Sequence, residues 1–157
     1  MRPSPIQLKE MVYLGIKVWP QLLEETDGQV TAASFDFNGV MIGERIEVQI
    51  LGEEDNPMFY GVKLRISVEN KEGKIAPYDL DVEVAGVFEI INKKIKKEER
   101  EEMVTVNGCA VLYSAIRDQI MTLTARSVRG ALILPTVNFQ DKVEKKTDAQ
   151  LQGSASK

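Results

Sequence analysis

Few side chains in this sequence could carry out covalent or metal chemistry. There is no histidine, which removes the most common general base and the most common metal ligand of proteins. The single cysteine, Cys109, cannot form a disulfide within the chain and favours a reducing compartment. A zinc site and a Ser-His or Cys-His nucleophile are therefore excluded. We expect no catalytic residue, no metal site and no cofactor.

Carboxylates are the remaining reactive groups, and three of them share a regular spacing. Asp79, Asp81 and Glu83 alternate with apolar residues, so in a strand they share one solvent-facing side. Like charges on a flat face repel one another and are stabilised when a basic partner covers them. The simpler interpretation is a sheet face that stays polar and so resists aggregation. The spacing alone leaves both interpretations open.

The overall charge limits the class of partner. With 157 residues, a formal net charge of -4 and a pI near 5.0, the chain lacks the concentrated Lys and Arg that phosphate binding needs. Nucleic acid is therefore not an expected partner. No signal peptide is visible, and no apolar stretch approaches the roughly 20 residues of a membrane helix. We expect a cytoplasmic protein without direct membrane insertion.

Alternating apolar residues predict the strands that would position the carboxylates. The clearest runs are 46–50, 62–68 and 80–84. An earlier run is expected to bury one face and to end at Pro20; its apolar residues are Val12, Leu14, Ile16 and Val18. A turn is predicted at Asp27-Gly28. Short connections and clean alternation indicate an antiparallel sheet with one solvated face.

A helical repeat follows the sheet, with Asn107 as its predicted N-cap and Gly130 after its end. Its apolar face consists of Leu112, Ile116, Ile120 and Leu123. The charged block 93–102 is either a solvated helix or a linker. The expected fold is α+β, with a four-stranded, mostly antiparallel sheet and one long helix in residues 1–139. Residues 140–157 are expected to form a weakly helical to disordered tail.

Several segments of the sequence resemble the SecB family of export chaperones. They are residues 109–117 (CAVLYSAIR), residues 124–126 (TAR) and the apolar segment 132–139, which ends in Val-Asn-Phe. The last strand, 84–90 (VAGVFEI), is similar to the family's Gly-Gly-x-Phe-x-Ile strand. Strands, helix and apolar segment occur in the family's order, and the resemblance covers roughly residues 6 to 139.

The resemblance implies a non-enzymatic, ATP-independent holdase that binds unfolded preproteins for export through the Sec translocase. Apolar side chains would bind such clients through buried area, because hydrophobic attraction is non-directional. The expected client-binding residues are Phe35, Phe37, Phe59, Tyr60, Leu132, Leu134 and Phe139. For each of them, a place in an ordinary core or interface is the alternative.

The resemblance also implies two protein partners. In SecB proteins the acidic outer face of the last strand docks the SecA motor ATPase, so Asp79, Asp81 and Glu83 are the expected docking residues. The long helices of SecB chains lie between dimers, which implies a homotetramer built as a dimer of dimers. The expected interface residues are Leu112, Ile116, Ile120 and Leu123.

Two other functions remain open. One is a SecB-like chaperone dedicated to an antitoxin client. The other is a hot-dog-like acyl-binding or thioesterase domain, because such domains also place a long helix on a curved antiparallel sheet. Those enzymes need a carboxylate or histidine near the start of the helix, where we predict only Asn107, Gly108 and Cys109.

Overall fold

The computed structural model describes residues 2–21 and 32–141, and its architecture confirms the expected α+β fold. The elements in chain order are β1 (Ile6–Pro20), a 3-10 turn (Ala32–Ser34), β2 (Val40–Leu51), β3 (Phe59–Gly73), β4 (Tyr78–Ile90) and α1 (Lys97–Thr124). The strands form one sheet in the order β1-β4-β3-β2, and these pairings are antiparallel. The predicted turn at Asp27-Gly28 and the predicted tail after residue 141 lie outside the described residues.

Helix α1 covers one face of the sheet, the helix face, and the opposite face is the outer face. On the helix face, the apolar residues of β3 from Tyr60 to Val68 are at most 3% exposed. Leu112, Ile116 and Ile120 belong to the same core and are 0% exposed. The alternation of β3 and β4 is therefore the pattern of a sheet with one buried and one solvated face.

Helix α1 begins well before the predicted N-cap. It starts at Lys97, and Asn107 lies in its interior, where the side-chain amide donates to the Met103 carbonyl at 2.9 Å. The prediction of a helix start at Asn107 was wrong because the charged block continues the helix toward the N-terminus. Glu98 and Glu99 occupy the first turn, where carboxylates interact favourably with the helix dipole.

A buried arginine fixes the first turn of α1. Arg100 is 4% exposed, and its Nε donates to the Ile95 carbonyl at 2.9 Å. Its Nη1 donates to Asn56 Oδ1 at 2.7 Å and to the Pro57 carbonyl at 2.9 Å. These bonds join the helix to the loop between β2 and β3, and they satisfy donors that would be costly to bury unpaired.

Strand β1 contains two irregularities that reverse its alternation. Its register with β4 shifts between Leu8 and Glu10 and again between Tyr13 and Gly15. A bulge adds one residue and moves the following side chains to the other face. Val12 therefore lies on the outer face and is 46% exposed. The predicted buried face was wrong for Val12, Leu14 and Ile16, which are 46%, 52% and 41% exposed. Val18 does pack against the core, together with Met11 and Tyr13.

Candidate functional site

The segment 131–139 runs back along α1 after the helix ends. The Tyr113 hydroxyl donates to the Pro135 carbonyl at 2.7 Å, and Arg117 Nε donates to the Leu134 carbonyl at 3.0 Å. Burial raises the pKa of Tyr113 to about 12, so its hydroxyl keeps the proton for this bond at neutral pH. The two bonds hold an apolar segment without regular secondary structure against the helix.

The apolar side chains of this segment alternate between core and surface. Leu132, Leu134 and Phe139, all predicted to bind clients, are 0%, 1% and 3% exposed. Ile133 and Val137 are instead 44% and 40% exposed. The sequence analysis missed these two residues, although an extended segment that buries Leu132 and Leu134 must turn Ile133 away from them. The accessible apolar surface of this segment therefore includes Ile133 and Val137.

The predicted aromatic residues Phe35 and Phe37 form a fixed pair. Their ring centroids are 5.1 Å apart at an interplanar angle of 84°, an edge-to-face contact. Both rings are partly buried and pack against the core. The Lys74 ammonium lies 4.8 Å from the Phe35 ring centroid and donates to the Asp36 carbonyl, while the Lys74 backbone N–H donates to the Gly39 carbonyl at 3.0 Å. The hairpin between β3 and β4 thus anchors the loop that carries both rings.

Phe59 and Tyr60, also predicted to bind clients, point to opposite faces of β3. Tyr60 is 1% exposed within the core, whereas Phe59 is 41% exposed on the outer face. The seven predicted client-binding residues therefore do not form one surface. Four are core residues, the Phe35–Phe37 pair is half-buried, and Phe59 lies on the other side of the sheet.

The predicted docking residue Asp79 is a hydrogen-bond acceptor for its neighbours. Its carboxylate accepts from Gln21 Nε2 at 2.5 Å, from the Asn70 backbone N–H at 3.1 Å and from Asn70 Nδ2 at 2.9 Å. These contacts connect the ends of β1, β3 and β4. Asp79 therefore has a structural role that the sequence did not reveal.

The other two predicted docking residues differ in how far the protein itself neutralises them. Arg65 binds Asp81 through two bonds of 2.7 and 2.6 Å. The Arg65 hydrogen bond lowers the pKa of Asp81 despite opposing desolvation, so this carboxylate is ionised and paired at neutral pH. Glu83 lies between Gly15 and Arg65 in the sheet, and within the described residues it has no ion pair closer than 4.0 Å. Glu83 is thus the most available carboxylate of the three.

The predicted interface residues also separate into two groups. Leu112, Ile116 and Ile120 are fully buried against their own sheet. They can support an assembly only through the helix that they anchor. Leu123 is 47% exposed, and the nearby Met121 is 40% exposed, so these two side chains are available for contact with another protomer.

Few of the described side chains could support catalysis or metal binding. Cys109 is buried within α1, away from the helix start where we had placed it. In the described part of the chain, no three Cys, Asp or Glu side chains are grouped so that they could hold a metal ion. No helix in that part is long and apolar enough to cross a membrane.

The comparison with protein families matches residues 43–150 to the family described as preprotein translocase subunit SecB. An uncharacterized protein of Methanocaldococcus jannaschii is 29% identical over 100 residues, which are 63% of this chain and 63% of that protein. The protein-export protein SecB of Anaplasma phagocytophilum is 23% identical over 103 residues, 65% of each chain. The matched region thus covers slightly less than two thirds of these relatives.

Among solved structures, the chain is similar to the SecB-like chaperone Rv1957 of Mycobacterium tuberculosis, in complex with a ChAD peptide from the HigA1 antitoxin. The TM-score is 0.52 with 16% sequence identity, over 85% of this chain and 91% of that one. At this identity the likeness concerns the fold. It is consistent with the four-stranded antiparallel sheet and the long helix described above.

Proposed function

The chain belongs to the SecB family, whose members are chaperones and not enzymes, and from this premise we propose that it is an ATP-independent holdase for unfolded preproteins. It acts in the cytoplasm and hands its clients to the Sec export machinery. The sequence has no glycine-rich phosphate loop of the Walker type, which supports a cycle without nucleotide. Several weak apolar contacts on one assembly act together through effective concentration.

The observation that carries this proposal is the anchored, half-buried aromatic pair Phe35 and Phe37. The rings keep accessible apolar area, and their mutual contact and Lys74 restrict the loop that carries them. A surface that is already ordered loses less conformational entropy when a client binds. Such a surface suits clients that share apolar character and no common sequence.

Replacement of both Phe35 and Phe37 by alanine is expected to weaken client binding by about tenfold, because about 1.4 kcal/mol of apolar contact is lost. The measurement is suppression of aggregation of a chemically unfolded client, together with the affinity of a labelled unfolded client. Circular dichroism must show that the variant remains folded.

The matched control is Trp19→Ala, which removes a 66% exposed aromatic ring from the outer face. It is expected to leave suppression unchanged. If the folded Phe35/Phe37 double variant still suppresses client aggregation fully, these two rings are not part of the client-binding surface. Equal losses in both variants would mean that any exposed aromatic ring serves equally well.

We also propose that the outer face of β4 docks the SecA motor ATPase. Asp79, Asp81 and Glu83 supply negative potential there, and Glu83 has the least internal compensation. Charge complementarity raises the association rate, and a direct contact with a cation lowers the dissociation rate. The three carboxylates therefore contribute differently, although all three share one face.

Two variants that each remove one negative charge test this difference. Asp81→Asn and Glu83→Gln are expected to slow association with SecA to a similar extent, because the long-range field changes equally. Of these two variants, only Glu83→Gln is expected to speed dissociation, by about fivefold, because Glu83 has no ion pair of its own among the described residues whereas Asp81 is already paired with Arg65. Surface plasmon resonance at low and high salt measures both rates.

Two results would contradict these proposals. The docking proposal fails if the wild-type protein shows no SecA binding at low salt. The assignment of Glu83 fails if Asp81→Asn and Glu83→Gln dissociate from SecA at the same rate.

A homotetramer, built as a dimer of dimers, is the proposed assembly. The support is apolar surface that remains exposed in the single chain, on α1 and along the edge strand β1. Apart from Val12 and Trp19, which lie on the outer face, the exposed apolar residues of these two elements are Leu8, Leu14, Ile16, Val111, Met121 and Leu123. Monomers rarely keep so much apolar area open, and contact between copies would cover it.

A chaperone dedicated to an antitoxin is the second candidate, and the similarity to Rv1957 favours it, since that protein is bound to an antitoxin peptide. A dedicated chaperone would suppress aggregation of one client class and fail with unrelated clients. The acyl-binding enzyme has less support. Although Glu98 and Glu99 do lie at the true helix start, both are exposed, and family membership points to a chaperone.

A further inference from the structure

The outer face of the sheet contains a depression of about 360 Å³ that spans all four strands. This volume lies within the roughly 300–1,000 Å³ typical of ligand sites. Its floor is formed by Gly61 and Ala85, and its apolar walls by Val12, Leu51 and Val87. We call it the outer depression.

Sheet register explains why this depression exists. Across the strands, one row of outer residues reads Val12, Ala85, Lys63 and Glu47, and the next reads Glu10, Val87, Gly61 and Gln49. Ala85 in the first row and Gly61 in the second are small, and the residues around them have longer side chains. The sequence therefore leaves a gap in the layer of side chains on the outer face.

Gly61 has no conformational reason to be glycine. Its backbone has no positive φ, and the pairing of β3 is regular on both sides of it. Glycine inside a regular strand weakens it, and it often marks a position that a ligand or another backbone approaches closely. The three atoms nearest to an added Cβ all belong to the Gln49 side chain, with Cγ and Nε2 both at 3.1 Å. Gly61 thus leaves room for an exposed side chain that can swing aside, and its amide can pair with a peptide backbone.

The charges at the rim indicate what fits the space. Glu47 is paired with both Arg45 and Lys63, at 2.9 and 3.2 Å. Glu10, on the opposite side, has no ion pair within 4.0 Å among the described residues. An apolar side chain followed by a lysine or arginine would fill the depression and neutralise Glu10. An acidic residue in the same place would leave the Glu10 carboxylate uncompensated.

We propose that the outer depression is a second client subsite, which takes one apolar side chain of an extended segment next to a basic residue. This inference rests on the proposed holding of unfolded clients, and it adds a site on the face opposite α1. The exposed Phe59, paired with Leu51 across the strands, extends the apolar wall of this subsite. A client that reached both this subsite and the Phe35–Phe37 pair would gain from effective concentration.

Gly61→Val tests the subsite, because it fills the depression while valine suits a strand better than glycine. Stability is therefore expected to be equal or higher, whereas affinity for the probe is expected to fall about tenfold. The probe is a short labelled peptide with one phenylalanine between two lysines in a Gly/Ser background. A matched peptide with glutamates instead of lysines is expected to bind about fivefold more weakly, and Glu10→Gln is expected to reduce that difference.

Gly15→Val is the control, because it adds the same side chain to the outer face at a position with nothing within 4 Å. NMR shifts of the Ala85 methyl group locate the bound peptide. An unmoved Ala85 signal, or unchanged affinity in Gly61→Val, overturns the subsite. A change of native mass in Gly61→Val also overturns it, because the depression would then be a contact between copies. Suppression of aggregation by wild-type protein tests the holdase proposal separately, so the two can fail independently.

Discussion

Ile120→Asp is expected to unfold the protein, with a loss of about 4 kcal/mol or more in the free energy of unfolding. Ile120 is 0% exposed and lies in the core between α1 and the sheet. Aspartate there would lose the apolar contacts and would bury a carboxyl group with no partner. Because small domains are stable by only about 5–15 kcal/mol, such a loss removes much of the stability. Urea denaturation followed by circular dichroism measures it.

Leu123→Asp is the matched variant on the same helix. Leu123 is 47% exposed, so the substitution is expected to keep the fold within about 0.5 kcal/mol. If α1 meets a second dimer, the new charge enters that contact and lowers the native mass measured by light scattering. Folded Ile120→Asp protein of native mass would contradict the core position. Unchanged mass in Leu123→Asp, with a wild-type tetramer, would place the interface elsewhere.

The apolar face of α1 was predictable, and its beginning was not. Leu112, Ile116 and Ile120 recur at helical spacing, and their burial follows from that period. The charged block suited either a solvated helix or a linker. The bonds from Arg100 to Asn56 and Pro57 help to hold it as helix, and those partners lie more than forty positions earlier in the chain. Such contacts leave no mark in a local pattern.

Strand β1 shows a second limit of local patterns. The alternation of Val12, Leu14, Ile16 and Val18 is regular, yet a bulge at Leu14 places Val12 on the opposite face from Ile16 and Val18. Tertiary contacts favour this register, because the Tyr13 hydroxyl then donates to the Ala115 carbonyl on α1 at 3.0 Å. The period of a strand predicts faces only when its pairing is continuous.

The sequence predicted which types of residue form the candidate site, but not how those residues are arranged. Neighbouring residues of one strand face opposite sides, so Phe59 and Tyr60 could not both have joined one groove. The shared face of Asp79, Asp81 and Glu83 followed from their spacing. Their separate roles depend on Arg65 and Asn70, which reach them across the sheet from β3. Register between strands carries this information, and a single sequence does not specify it.

Gly86→Val is expected to destabilise the protein by about 3 kcal/mol, even though valine favours strands. A Cβ at Gly86 would lie 2.9 Å from Leu112 Cδ2, 3.0 Å from Phe88 Cε2 and 3.2 Å from Leu8 Cδ1. Leu112 and Phe88 are at most 1% exposed, so neither can move aside without disturbing the core. Gly108 lies at the same contact, where an added Cβ would be 3.3 Å from Phe88. The two glycines therefore allow α1 to approach the sheet closely.

Gly15→Val separates this packing effect from the general effect of valine in a strand. Nothing lies within 4 Å of a Cβ at Gly15, so the same substitution there is expected to change stability by less than about 0.5 kcal/mol. Urea denaturation midpoints of both variants, with unchanged slopes, give the comparison. If Gly86→Val is as stable as the wild-type protein, α1 must lie farther from the sheet than the 2.9 Å between Leu112 Cδ2 and an added Cβ implies. Equal losses at both positions would assign the effect to the strand itself, and the close approach of α1 would then not explain why position 86 is glycine.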